Sequence, residues 1–264
     1  MGTAILSGLL KAGFDAANVS VSTKSAESAA KLAESLGVNA FSAEQSIDAN
    51  SQAAAGADVV LVAVKPAYVV SVLQEVSASL NPNALVVSVA AGITTASMEA
   101  ALPESVAVIR SMPNTPAIVG RAVTGLAKGT RATAEQLVQA SSLFETVGKV
   151  VVLAEEQIDA LGTVSGSGPA YVFYLIEELT KAAQGMGFDA ETAHTLVSET
   201  FLGASELLAA SGKTPQELRK QVTSPNGTTM RAIAVLEEAN LAALFENATN
   251  AALARSKEIA AGLG

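Results

Sequence analysis

Cysteine is absent from this 264-residue chain, and histidine occurs once. Without a sulfhydryl there is no disulfide, no thiolate metal site and no catalytic thiol. The lone His194 falls in a helical pattern with no second histidine, so packing accounts for it better than metal binding. Positive charge is scarce: 16 Lys and Arg stand against 25 Asp and Glu, for a formal net charge of −9. A nucleic-acid partner would call for a basic face, which this balance speaks against. Long apolar runs are also lacking. Val59-Val60-Leu61-Val62-Ala63-Val64 is among the longest, far short of the roughly 18 residues a membrane-spanning helix requires. Met1-Gly2 leads into Thr3-Ala4-Ile5-Leu6 with no basic leader, so a cytoplasmic protein is expected.

What the chain does have is alanine and alternation. Gly2 to Ala12 reads as a helix ended by Gly13. Val19 to Thr23 reads as a strand, Ser25 to Leu36 as a helix stopped by Gly37, and Asn39 to Phe41 as a short strand. Ser42 to Gly56 is polar and alanine-rich, a loop or weak helix. The apolar run Val59 to Val64 predicts a strand buried on both faces of a parallel sheet. Pro66 opens a helix to about Leu80. Leu85 to Val89 and Val106 to Ile109 are two further strands. Strands alternating with helices predict βαβ units and a doubly wound α/β sheet, with ligands at the carboxyl ends of its strands.

Gly125 to Ala127, Ala134 to Thr146 and Lys149 to Leu153 read as strand, helix and strand. After Glu155 only helices follow: Glu155 to Val164, Pro169 to Met186, Ala190 to Ala210, Pro215 to Gln221, Thr229 to Ala239 and Leu241 to Ala261. An α/β domain over residues 1–153 and an all-helical domain over 154–264 are therefore expected. The helical part, rich in alanine and poor in aromatics, suits close packing completed by a second copy. In such an α/β fold a strand normally precedes the first helix and carries a Gly-rich turn. No strand precedes Gly2, so a gap in the sheet is expected, with Gly2 in the last glycine position of the G-x-G-x-x-G pattern. A start assigned too late, or a trimmed chain, is the matching expectation.

Several stretches carry chemistry. At the end of the second strand of a dinucleotide fold, an acid would select NAD through the ribose 2′-OH, whereas a cation with hydroxyls suits a 2′-phosphate. Thr23-Lys24-Ser25 is of the second kind, which favours NADP and leaves NAD open. Ala63-Val64-Lys65-Pro66, Ala90-Ala91-Gly92 and Arg110-Ser111-Met112-Pro113-Asn114-Thr115-Pro116 each follow a strand, and together sit where one cofactor would be held. The second is small enough for a flat ring to lie on the backbone; the third is a rigid loop whose Asn114 and Thr115 offer polar groups. Ser165-Gly166-Ser167-Gly168-Pro169 reads as an anion-binding helix start, or else as a kink or close-packed interface. In Val222-Thr223-Ser224-Pro225-Asn226-Gly227-Thr228-Thr229, Gly227 suits a positive φ and Asn226 tolerates one. Thr228 or Thr229 would cap the next helix, gathering N–H groups and hydroxyls for a small anion such as a carboxylate. A plain capped turn is the simpler reading of that stretch alone.

Taken together, Ala63-Val64-Lys65-Pro66, the Arg110 to Pro116 loop, Ser165 to Tyr171 and Val222 to Thr229 resemble, in order and spacing, the pyrroline-5-carboxylate reductase family. The similarity spans essentially the whole chain. Asn226 stands where many members have glycine, and the segment from Gly37 to Asp58 is longer than usual. The resemblance implies reduction of 1-pyrroline-5-carboxylate to L-proline with NAD(P)H, the last step of proline synthesis. It also implies a Rossmann-like domain, a helical dimerisation domain, a homodimer and often a higher oligomer of dimers. It would set Thr23, Lys24 and Ser25 at the adenosine 2′-phosphate and Asn50 at the adenosine ribose. Ala63, Val64, Lys65 and Pro66 would line the dinucleotide. Ala90, Ala91, Gly92 and Met112, Pro113, Asn114, Thr115 would border the nicotinamide. The substrate carboxylate would rest on Ser224, Pro225, Asn226, Gly227, Thr228 and Thr229 of the partner subunit, with Thr229 donating a hydrogen bond to the imine nitrogen. No metal is required. Two alternatives stay open: a 3-hydroxy-acid dehydrogenase with Lys181, Lys213 or Lys220 as acid/base, and a non-catalytic helical dimer.

Overall fold

The computed structural model describes residues 1–260; Ala261, the predicted last residue of the final helix, lies outside them. Two compact units are present, one comprising Met1–Ser167 together with residues 252–260, the other Gly168–Ala251.

The first unit opens with helix α1 (Gly2–Lys11), followed by strand β1 (Ser20–Thr23), helix α2 (Ala26–Leu36), strand β2 (Asn39–Ser42), helix α3 (Ala49–Ala54) and strand β3 (Val59–Val62). Helix α4 (Val69–Val76), strand β4 (Leu85–Ser88), helix α5 (Thr95–Glu99) and strand β5 (Ala107–Met112) come next. Strand β6 (Ala122–Lys128), helix α6 (Ala134–Glu145), strand β7 (Gly148–Val152) and helix α7 (Glu155–Leu161) complete the run. Strands β3, β4 and β5 are parallel neighbours, β6 joins β5 antiparallel, and β7 pairs parallel to β6. Strands β1 and β2 form a separate parallel pair, so the described strands make two sheets with no hydrogen-bonded pairing between β1 and β3.

The core explains the layering. Alternation along β4 sends Leu85 and Val87 to one face, where they meet Ile5 of α1 and Ala140 and Phe144 of α6. Val86 points the other way, against Val69 and Leu73 of α4 and Met98 of α5. Each such side chain contributes about 1.5–3 kcal/mol on burial. A sheet covered by helices on both faces is the doubly wound, Rossmann-like α/β architecture the sequence predicts.

Three local expectations are corrected. Val59, Val60 and Leu61 are only half-buried, because β3 is an edge strand of its sheet. The stretch from Pro66 is not one helix: Pro66–Tyr68 and Ser77–Ser79 are single 3₁₀ turns flanking α4. Arg110 to Met112, read as loop, continue β5, since β6 returns antiparallel and pairs Arg110 with Ala127 and Met112 with Gly125. Sequence periodicity reports local faces and carries no signal for a partner strand that arrives later in the chain.

The second unit holds helices α8 (Gly168–Gly185), α9 (Ala190–Ser211), α10 (Pro215–Gln221) and α11 (Thr228–Glu238), and the start of α12 (Leu241–Ala260). Side-chain caps fix two of its starts: Asp189 accepts from the Thr192 amide, and Thr214 and Glu217 form a capping box. Burial is sparse. Ala193 and Val197 are buried in α9, while Phe173, Tyr174, Leu202, Val235, Leu244 and Phe245 stay exposed. So many exposed large apolar side chains on one helical unit call for a covering partner. Among the described residues no helix is long and apolar enough to cross a membrane.

Candidate active site

The carboxyl ends of β3, β4 and β5 lie on one edge of their parallel sheet, and α1 begins at that edge. A Cβ added to Gly2 would come within 3.0 Å of the Ala63 Cβ, just past β3. That is the close helix–strand approach required of the last glycine in a dinucleotide fingerprint. The helix has no side-chain cap and no acid in its first turn; the Ala4 and Ile5 amides donate to the Met1 carbonyl, and those of Gly2 and Thr3 are left for a phosphate. Val64 and Lys65 are exposed beside it. These residues fit a dinucleotide.

At the end of β1, Thr23 Oγ1 donates to the Ser25 carbonyl at 2.9 Å. Ser25 caps α2, accepting from the Ser28 amide at 3.3 Å, and Lys24 is exposed. Asn50, on α3, is held from both sides. Its Oδ1 accepts from Ser22 Oγ at 2.7 Å and its Nδ2 donates to Glu75 Oε2 at 3.0 Å. The structure thus brings Asn50 beside β1 although 28 residues separate it from Ser22.

Past β4, Ala90 is buried and its amide donates to Ser88 Oγ at 3.2 Å. Gly92 has φ of 75°, and its missing Cβ leaves ordinary contact with Ala260, 3.6 Å away. Past β5, Asn114 is nearly buried and spends its side chain on the loop itself. Nδ2 donates to the Ser165 carbonyl and Oδ1 accepts from the Val123 amide, both at 2.9 Å. Its amide is therefore a staple within the protein, and only Thr115 is left exposed as the loop's polar group.

Beneath this loop lies a cluster that sequence reasoning missed. Arg110 has 3% of its side chain exposed and donates through Nη2 to Asp159 Oδ1 at 2.5 Å. Its Nη1 lies 3.6 Å from Glu155 Oε1. The Glu155 carboxylate also accepts from the Thr95 amide and hydroxyl, at 2.6 and 2.5 Å. The 49 residues between Arg110 and Asp159 hide this pairing from any local pattern. Helix α7 then runs into a π turn, Gly162–Gly166, in which the Ser167 amide donates to the Gly162 carbonyl at 2.9 Å. Ser165 to Pro169 thus leave a π turn and enter α8 at Gly168. Gly162 and Gly166 let the chain pass Met112, whose Cε would lie 3.2 Å from a Cβ on either.

In the second unit, the turn from Ser224 to Thr229 differs in detail from expectation. Asn226 takes the positive φ, 60°, while Gly227 sits at −78° as N-cap of α11. Neither Thr228 nor Thr229 caps; they are the first two helical residues. The reason is the Gly227 amide, which closes the turn onto the Ser224 carbonyl at 3.0 Å, and a Cβ there would lie 3.1 Å from that oxygen. Unlike α9 and α10, α11 has no side-chain cap, so no side chain of the turn fills its first N–H groups. Thr223 turns its hydroxyl back to Arg219 O at 2.6 Å and leaves the set. Lys181, one of the lysines considered as an acid/base, is exposed and tied to Glu177 and Glu178 at 2.7 and 2.8 Å. Those hydrogen bonds, Glu177 first, push its pKa up and hold it charged.

A Rossmann-like unit with an open helix start against the end of β3, in one chain with an under-buried helical unit, defines a nucleotide-dependent oxidoreductase that pairs through its helices. Residues 155–259 match a family model described as pyrroline-5-carboxylate reductase dimerisation. Residues 1–92 match one described as NADP oxidoreductase, coenzyme F420-dependent. The chain is 42% identical to a pyrroline-5-carboxylate reductase of Pseudomonas aeruginosa over 265 aligned positions, covering 100% of this chain and 95% of that one. Among solved structures, it resembles a pyrroline-5-carboxylate reductase of Coxiella burnetii with TM-score 0.91 at 38% identity, covering 97% and 94% of the two chains. The NADP-bound pyrroline carboxylate reductase of Plasmodium falciparum follows at TM-score 0.83 and 26% identity, covering 98% and 94%. The chain belongs to the pyrroline-5-carboxylate reductase family.

Proposed function

We propose that this protein reduces 1-pyrroline-5-carboxylate to L-proline, with the work divided between its two units. NADPH, when bound, supplies the hydride. The first unit holds it: Thr23, Lys24 and Ser25 at the 2′-phosphate, Asn50 at the ribose, Gly2 and Ala63 to Pro66 along the dinucleotide. Ala90 to Gly92 and Met112 to Thr115 border the nicotinamide. The observation that carries the substrate side is the uncapped start of α11 behind the left-handed Asn226. Its free N–H groups suit the substrate carboxylate, and the turn from Ser224 to Thr229 serves the partner subunit of a homodimer. Thr229 donates a hydrogen bond to the imine nitrogen and orients the ring, and no histidine or thiol is called for. Positioning of the reacting carbon and exclusion of water supply the catalysis. The dimers assemble further into a higher oligomer, and the enzyme works in the cytoplasm.

The test is consumption of NADPH by the purified protein with and without pyrroline-5-carboxylate, with proline measured as product. Stoichiometric proline is the expected result. NADPH binding without turnover would instead support the non-catalytic dimer.

A further inference from the structure

Glu44 stands in the place where the cofactor's 2′-phosphate is expected. Strand β2 runs parallel to β1, and the ladder continues one step beyond both strands. The Ala43 amide donates to the Thr23 carbonyl at 2.9 Å and the Glu44 amide to the Lys24 carbonyl at 3.2 Å. Those two bonds fix the Glu44 backbone beside Lys24. From there its side chain reaches the start of α2, where Oε2 accepts from the Ala26 amide at 2.8 Å. The hydroxyls of the same turn are committed internally. Thr23 Oγ1 donates to the Ser25 carbonyl, and Ser25 Oγ is engaged by Ser28. The helix start that follows Thr23-Lys24-Ser25 therefore already holds an anion of its own.

We infer that Glu44 is a specificity-determining residue that weakens the protein's hold on the 2′-phosphate and brings NADH closer to NADPH as a donor. A carboxylate within hydrogen-bond reach of the helix start repels a second anion there and competes for the same N–H group. Toward a cofactor without the 2′-phosphate the carboxylate is neutral or helpful, since an acid beside the adenosine ribose accepts from its 2′-OH. The usual device for selecting NAD is an acid at the end of the second strand itself; here the acid arrives from the adjoining strand, across from a lysine that favours NADP. The balance between Lys24 and Glu44 then sets the preference.

The inference rests on the reading that Thr23, Lys24 and Ser25 face the 2′-phosphate, and the test separates the two. Binding of adenosine 2′,5′-bisphosphate and of AMP is measured calorimetrically on the full-length protein and on the variants Glu44→Gln and Lys24→Ala. Glutamine keeps the acceptor for the Ala26 amide and removes the charge. Glu44→Gln is expected to tighten the bisphosphate by about tenfold and to leave AMP within about twofold. Steady-state KM for NADPH and NADH should diverge in the same direction. Lys24→Ala is expected to weaken the bisphosphate alone. If Lys24→Ala does so and Glu44→Gln changes nothing, or changes both ligands equally, Glu44 has no part in selection. If Lys24→Ala leaves bisphosphate binding intact, the turn is not the phosphate site and both readings fall.

Discussion

Arg110 and Asp159 meet at 2.5 Å with the arginine side chain almost wholly out of water. Arg110 lies on β5 just before the loop assigned to the nicotinamide, and Asp159 on the helix that leads into the π turn around Met112. The pair thus ties one wall of the site to the other within the first unit. Removing one partner of a buried pair leaves the other charge uncompensated. Arg110→Leu is expected to destabilise the protein by about 3 kcal/mol, the low end of the range because Asp159 and Glu155 keep 26% of their side chains exposed. Asp159→Asn should cost less, since Glu155 stays beside the guanidinium. Urea unfolding of both variants checks the order.

Thr229→Ala should lower turnover by at least tenfold while the Kd for NADPH, read by its fluorescence, stays within about twofold. The hydroxyl meets the substrate and not the cofactor under the proposed assignment. Unchanged turnover would remove Thr229 from the chemistry.

Asn226 holds φ of 60° at the head of the turn proposed to hold the substrate carboxylate. Glycine adopts this conformation freely, and asparagine better than other residues with a side chain. Asn226→Gly should leave activity near normal. Asn226→Val should cost about 1–2 kcal/mol and raise KM for pyrroline-5-carboxylate far more than KM for NADPH. Equal rises in both KM values would point to general distortion and against a carboxylate site.

Glu217 accepts from the Thr214 amide and hydroxyl, both at 2.8 Å, in the capping box of α10. Those bonds, the backbone one first, lower its pKa from the ordinary 4.5. A folded-state pKa below the unfolded one contributes stability above the unfolded value and loses it as the pH falls through the folded value. Glu217→Ala should therefore melt below the parent at neutral pH. The gap should close as the pH is taken down past 4.5, as measured by thermal unfolding across an acid series.

Much of this protein was determined by its sequence alone. The apolar runs at Val59, Leu85 and Val106 and the helical stretches between them predict a doubly wound sheet, because side-chain period and burial are local properties of the chain. The order and spacing of the Arg110 to Pro116, Ser165 to Tyr171 and Val222 to Thr229 motifs already mark the family to which the chain belongs. Only the tertiary structure decided what those residues touch. Asn114 reads as a free polar group and turns out to be bound to Ser165 and Val123. Arg110 reads as a loop residue and is a buried strand residue paired with α7. Glu44 and Glu75 carry no signal of their own, yet one reaches the start of α2 and the other fixes Asn50. Charge pairing and hydrogen bonding depend on distance in space, and separations of up to 51 residues along the chain leave no period for the sequence to show.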